Sequence, residues 1–275
     1  MRQSFAEIAA GDRVAVALSY DGSDYHGWQS QLKPQVATVQ DALEQALGFV
    51  ANQAVKVHCA GRTDSGVHAS HQLVHFDSPV TRSEKAWVRG GNTQLPKGVA
   101  IHWAKPVTSD FHARFKATAR RYRYVILNTL ERPSILSNGV TYEGRDLDVE
   151  LMNSEAQCMI GELDFSTFRA IACQSNTPMR HVHFIKVKRI GDMVVIDIQA
   201  NAFLYHMVRN IAGALMDVGA GKYPPGWLQS VLALKDRSQS SATASPKGLY
   251  LVGVEYPSEF NLPEVQPGPF FLQIE

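Results

Sequence analysis

The chain of 275 residues carries 27 basic and 26 acidic side chains, a net charge of +1, and 45% hydrophobic residues, so it has a core of ordinary size and any nucleic-acid surface must be a local patch. Three cysteines, Cys59, Cys158 and Cys173, form no CxxC pair, which argues against a disulfide framework and a structural zinc centre and favours a reducing compartment. Arg2, Glu7, Asp12 and Arg13 interrupt the N-terminus, and the most apolar stretch, 202–218, contains His206, Arg209 and Asp217; no leader or membrane span is expected, and the protein is expected to be soluble and cytoplasmic.

The elements follow in chain order. Residues 14–20 (VAVALSY) read as a strand. Residues 38–50 read as a helix, with Val39, Leu43, Leu47 and Val50 on one stripe and Thr38 as N-cap. Short strands are predicted at 55–59 and 72–76, a weaker helix at 83–93 and a strand at 99–105. The order then repeats. A strand at 120–127 leads to a helix at 148–160, with Asp148 as start signal and Gly161 as stop signal. Strands at 181–190 and 193–199 meet at Gly191-Asp192, a hairpin signal. Helices at 203–218 and 225–235 and a strand at 249–256 complete the chain.

Both halves fit a β-α-β-β-α-β order, so the expected class is α+β, with two ferredoxin-like domains and antiparallel sheets. Residues 106–118 form the natural boundary, giving domains 1–112 and 113–275. Helices are expected on one face of each sheet, leaving the other free as a platform for RNA. The tail 257–275, with four prolines and no basic residue, is expected to be extended and loosely held.

Three places carry chemistry. The segment 60–69, AGRTDSGVHA, is a loop after a short strand, with Gly61 and Gly66 bracketing a charged, hydroxyl-rich turn. Asp64 could simply cap that turn, since Asp-Ser-Gly is ordinary turn chemistry. Residues 111–124 hold Arg114, Lys116, Arg120, Arg121 and Arg123 without an acidic residue, interleaved with Phe111, Phe115, Tyr122 and Tyr124. Cations meet phosphate and rings stack on bases, so this reads as a nucleic-acid surface rather than a protective basic edge. Strand alternation sets Tyr122 and Tyr124 opposite Arg121 and Arg123. In the third place, Leu204, Val208, Ile211, Leu215 and Val218 form an apolar stripe, and Tyr205, Arg209 and Gly213 fall on the opposite face.

Two other patterns carry little. His68, His71 and His75 suggest metal spacing, but alternation leaves only His71 and His75 on one face, with no further ligand to complete a set. Gly219-Ala220-Gly221-Lys222 resembles the end of a phosphate loop, yet it follows a helix, and Tyr223 stands where Ser or Thr is needed. Helix capping explains it better.

Seven segments in order resemble the bacterial tRNA pseudouridine synthase A family: YDGSDYHGWQ (20–29), TVQDALEQAL (38–47), GRTDSGVHA (61–69), FHARFKATARRYRY (111–124), FRAIACQSNTPMR (168–180), ANAFLYHMVRNIAGALMDVGAGK (200–222) and GLYLVGVEY (248–256). The resemblance implies a two-domain α+β fold, a homodimer, and isomerisation of uridine to pseudouridine at positions 38–40 of the tRNA anticodon stem-loop, with neither metal nor organic cofactor. It implies that Asp64 is the catalytic aspartate and Arg209 its ion-pair partner. Tyr122 would stack on the target base, Arg62 would help hold the nucleotide out of its stack, and Leu249 would pack on the uracil. It further implies tRNA contacts at Arg82, Phe111, His112, Arg114, Phe115, Lys116, Arg120, Arg121, Arg123, Cys173, Gln174 and Ser175.

An aspartate suits the reaction, which breaks the N-glycosidic bond and rejoins the uracil through carbon. A carboxylate could attack the sugar or base, remove a ribose proton, or stabilise positive charge on the ribose. The competing reading is a non-catalytic RNA-binding module, which leaves Asp64 unexplained because a carboxylate facing phosphates lowers affinity. A zinc-dependent deaminase would need H-x-E and P-C-x-x-C, and a methyltransferase a nucleotide-binding loop at a strand-to-helix turn; the sequence offers neither.

Overall fold

The computed structural model describes residues 6–31 and 33–272. Strand β1 (Glu7–Ile8) is followed by β2 (Arg13–Tyr20) and helix α1 (Val39–Ala51). The Thr38 side chain accepts from Asp41 N at 3.2 Å, so it is the predicted N-cap. Strands β3 (His58–Cys59), β4 (His68–Asp77) and β5 (Arg82–Ser83) come next. The weaker helix expected at 83–93 runs over 84–94, with a π-helical turn at Ala86–Gly90 before α2 (Gly91–Gln94). Trp87 anchors it edge-on to Phe76, with ring centroids 5.0 Å apart. Strand β6 (Val99–Val107) follows.

The chain continues with β7 (Ala119–Asn128), β8 (Thr141–Glu143), α3 (Val149–Ala156) and β9 (Gly161–Asp164). Asp148 caps α3 through Leu151 N. Strands β10 (Met179–Ile190) and β11 (Met193–Ala200) form the predicted hairpin, with Gly191 at φ +56°. Helices α4 (Met207–Gly219) and α5 (Trp227–Leu234) and strand β12 (Leu249–Glu255) complete the order.

Two compact units result. The first comprises the chain up to Thr118 together with Leu251–Phe270; the second comprises Ala119–Tyr250 and the chain from Phe271. The sequence placed a single boundary at 112/113. The units divide at Thr118/Ala119, and the chain later returns to the first.

In the first unit the sheet order is β6-β2-β4, with β3 also on β4, all antiparallel. A small antiparallel pair, β1–β5, was not predicted. The expected free sheet face is absent here. Val14, Ala15, Val16, Ala17 and Leu18 are all fully buried, so both faces of β2 are covered. On the Ala15 and Leu73 side the cover is Phe111, Ala113 and Phe260. Phe260 packs edge-on to Phe111 at 5.0 Å, so this part of the tail is held, contrary to expectation; apolar residues scattered among four prolines gave no periodic signal.

His75 ties the cover to the sheet. Its ring is 3% exposed, and its Nδ1 accepts from Ala113 N at 3.1 Å. It contacts His58 and His112, with centroids 5.0 and 4.5 Å away. Arg13 adds hydrogen bonds to the carbonyls of Ser109 and Phe111 while pairing with Asp77 at 2.7 Å. Burial above all, then the neighbouring histidines, holds His75 down to about 4 from 6.5; burial and then His102 hold His71 to about 4 as well.

These two rings make stability depend on pH. The unfolded chain takes up protons below about 6.5, but the folded protein does not until about 4. Their neutral packing therefore stabilises fully above that window and is lost progressively as pH falls through it. His75→Asn keeps an acceptor for Ala113 N and removes one titrating ring. Its unfolding free energy should fall less steeply between these pH values in denaturant titrations. A slope equal to that of the parent would contradict the assignment.

In the second unit the sheet order is β7-β11-β10-β9, antiparallel throughout. Strand β8 pairs with β7 in parallel, so the arrangement is mixed rather than purely antiparallel. Helix α4 begins at Met207 and not at 203, because His206 takes a left-handed conformation at φ +62°. Leu204 and Tyr205 therefore precede the helix, and the wheel drawn through them applies only from Met207 onward. Among the described residues no helix is long and apolar enough to cross a membrane.

Candidate active-site residues

In the first unit the loop 60–67 joins β3 to β4 and carries Arg62 and Asp64. Its base is fixed by Ala60 N to Leu73 O at 2.8 Å and by Gln72, fully buried, whose Nε2 donates to Gly61 O at 2.6 Å. Its middle is held by a buried hydrogen bond between the Tyr20 and Thr63 hydroxyls at 2.7 Å. The turn closes through Val67 N to Asp64 O at 3.1 Å, with Gly66 at φ +75°. Asp64 is half-buried and Arg62 exposed.

The segment 20–28 straps this loop from outside. Trp28 N donates to Thr63 O at 3.0 Å, and Gly66 N and the Ser65 hydroxyl both donate to Tyr25 O at 3.3 Å. Two glycines permit the approach. A Cβ on Gly27 would lie 2.8 Å from Thr63 O, and one on Gly22 only 2.0 Å from Val67 O. The structure thus explains why YDGSDYHGW and GRTDSGVHA belong together: one is the mould of the other. The sequence showed both segments, but the clamp joining them was not predicted.

The basic and aromatic segment splits into two kinds of residue. Phe111 is fully buried in the core and so cannot present its ring to RNA in this fold. Phe115 is 75% exposed, meets the His112 ring at a tilt with centroids 4.3 Å apart and lies under the Arg114 guanidinium at 5.6 Å. The His112 Nδ1 accepts from Arg114 N at 3.2 Å, which fixes the ledge these side chains make. Lys116 pairs with Asp110 at 3.0 Å. Arg82 donates to Val50 O at 3.1 Å, near the end of α1.

In the second unit, Arg121 and Arg123 converge on Asp197. Arg121 is bidentate, at 2.7 and 2.6 Å, and Arg123 Nε lies 2.9 Å from the same carboxylate. The acid that segment 111–124 lacks comes from β11, directly opposite Arg123 in the strand register. Arg123 is 5% exposed, which makes it a structural ion pair. Arg120 donates to Asn201 O at 3.0 Å.

Tyr122, 8% exposed, meets Phe203 edge-to-face at 5.0 Å; Phe203 was not singled out from the sequence. Tyr124 is fully buried in the core. Its hydroxyl bonds Thr141 Oγ1 at 2.7 Å and Ser245 O at 2.8 Å, and burial raises its pKa.

Arg209 on α4 is half-buried rather than solvated, with Nε donating to Ala244 O at 2.8 Å. Leu249 is buried at the start of β12. The loop bearing Cys173, Gln174 and Ser175 is shaped by Arg169, which donates to the carbonyls of Cys173 and Ser175 at 3.0 and 2.8 Å. Arg180 reaches the Ser175 hydroxyl at 2.6 Å. Gln174 is exposed. Among the described residues no group of three His, Cys, Asp or Glu could hold a metal. Lys222 pairs with Asp217 at 2.8 Å and its N–H returns to Asp217 O, so the segment 219–222 closes α4.

A family model described as tRNA pseudouridine synthase matches residues 16–116 and 156–257. The chain is 56% identical over 260 residues to a tRNA pseudouridine synthase A of Shewanella amazonensis, covering 94% of this chain and 99% of that one. It is 54% identical to the Legionella pneumophila (strain Corby) protein of that name and 53% to the Aliivibrio salmonicida one, each over 94% of this chain and 98% of the relative.

Proposed function

This chain belongs to the tRNA pseudouridine synthase family, and from that membership we propose how its residues divide the work. The protein is an isomerase that converts uridine to pseudouridine in tRNA. The observation that carries the mechanism is the clamped loop 60–67, which holds one carboxylate, Asp64, in a shape fixed by its neighbours. Substrate and product contain the same atoms in the same oxidation state, so the reaction needs no electron carrier. Asp64 supplies the charge or the nucleophile. Arg209 serves as its cationic counterpart and keeps it ionised when bound RNA excludes water. Tyr122 stacks on the target base, and Arg62 and Leu249 hold it. The ledge of half-buried His112 with exposed Arg114 and Phe115 meets the tRNA, as do Gln174 and its neighbours.

In the first unit the chain order β2-α1-β3-β4-α2-β6 with sheet order β6-β2-β4-β3 supports a ferredoxin-like unit. The protein is a cytoplasmic homodimer in this reading, and a monomeric mass at equilibrium in solution would count against the dimer.

The target is the anticodon stem-loop at positions 38–40. Transcripts carrying uridine at only one of these three positions, treated with chelator-washed protein, should each gain pseudouridine there. Conversion elsewhere in the tRNA, or only when zinc is restored, would overturn this reading.

Tyr122 gives a separate prediction. Base stacking on an aromatic ring is worth roughly 1–3 kcal/mol, against a flipping cost of a few kcal/mol. Tyr122→Ala should therefore lose roughly ten- to a hundredfold in kcat/KM, whereas Tyr122→Phe, which keeps the ring against Phe203, stays near the parent. An inactive Tyr122→Phe would show instead that the hydroxyl moves a proton.

A further inference from the structure

The chain between α5 and β12 lies as a strap on α4, and its grip centres on the residue next to Arg209. Asn210 is fully buried. Its Nδ2 donates to Phe168 O at 2.8 Å, and its Oδ1 accepts from the Thr243 hydroxyl at 2.6 Å and from Arg237 Nη2 at 3.1 Å. Arg237 Nη2 also donates to Thr243 Oγ1 at 3.1 Å. The three side chains thus close a ring in which the Thr243 hydroxyl has one direction available: it donates to Asn210 and accepts from Arg237.

The next residues of the strap are fixed in turn. Ala244 N donates to Arg209 O at 3.2 Å, and Ala244 O accepts Arg209 Nε at 2.8 Å. Ser245 O accepts the Tyr124 hydroxyl at 2.8 Å. The strap runs so close to the helix that a Cβ on Gly213 would lie 2.2 Å from Ala242 O. An arginine bonded through Nε has its guanidinium plane set by the acceptor. Where Ala244 O sits therefore decides where the Nη atoms of Arg209 point.

We propose that Asn210, Thr243 and Arg237 are positioning residues for the isomerisation, acting through Ala244 on the aim of the Arg209 guanidinium. This rests on the reading that Arg209 is the cationic counterpart of the catalytic carboxylate. None of the three need touch tRNA. A hydrogen-bonded ring built on a fully buried amide, with a half-buried arginine satisfied by neutral oxygens, is costly to maintain for packing alone. Its placement one residue from Arg209 gives that cost a purpose.

The test is a double-mutant cycle between Thr243 and Arg209 in the full-length protein, read as the single-turnover rate on saturating tRNA. Thr243→Val keeps the shape and removes the hydroxyl. Its rate should fall by about tenfold or more, as small misplacements of a catalytic group do, with KM for tRNA unchanged. Thr243→Ser should restore it. In an Arg209→Ala background, Thr243→Val should add nothing, because it acts only through Arg209. A Thr243→Val protein at the parent rate beside a slow Arg209→Ala overturns this inference alone. So does the same fold loss in both backgrounds, which would mark a merely structural role. An Arg209→Ala protein at the parent rate overturns the reading of Arg209 and this inference with it.

Discussion

Asp64→Asn should give a folded protein that binds tRNA as tightly as the parent and forms no pseudouridine. The described bonds that shape loop 60–67 come from backbone groups and from Tyr20, Ser65 and Gln72, and the turn itself closes on the Asp64 carbonyl. An amide in place of the carboxylate leaves all of them standing. What is lost is charge, basicity and nucleophilicity, and every candidate mechanism needs at least one of these. The loss in single-turnover rate should be on the order of 10⁴-fold, the scale seen when a catalytic carboxylate is removed from a preorganised site. Substantial residual turnover in Asp64→Asn, with thermal stability intact, would remove Asp64 from the centre of the chemistry.

The second large effect is expected from a residue with no side chain and no part in the chemistry. Gly22→Ala places a methyl 2.0 Å from Val67 O and 2.6 Å from Val67 C. Both are backbone atoms, so no side chain can swing aside. Either the strap 20–28 or the loop must shift. Overpacking of this kind costs typically about 1–3 kcal/mol of stability. A displacement of about 1 Å at the loop can cost on the order of a hundredfold in rate. Gly98→Ala is the matched control, since its Cβ would sit 3.8 Å from Asp21, an ordinary contact. If Gly22→Ala turns over and melts like Gly98→Ala, the strap does not hold the loop in working shape.

What the sequence revealed had local signatures. The Thr38 and Asp148 caps and the Gly191-Asp192 hairpin each follow from a few consecutive residues, and the structure places them as read. What it hid depends on pairings between distant segments. Asp197 pairs with both Arg121 and Arg123 from 74 and more residues away and offsets one of their two charges, so residues 111–124 read as more basic than their surroundings make them. Phe111 sits among exposed cations in sequence but turns into the core beside Phe260, because the second face of the first sheet needs cover. The late start of α4 hinges on the left-handed His206, which no periodicity announces. Arg209 has a natural reading as a solvated helical arginine until the strap 241–248 is seen to hold it.

In the proposed mechanism one carboxylate of this chain, Asp64, isomerises uridine in tRNA without metal or cofactor. Forming the new carbon bond expels the hydrogen on uracil C5. tRNA transcribed with tritium at that position should therefore release it to water as pseudouridine forms. With chelator-treated protein the parent should release it, matched one to one by pseudouridine, and Asp64→Asn should release none. Release from Asp64→Asn at the parent rate, or from the parent only after a metal or cofactor is added, would contradict it.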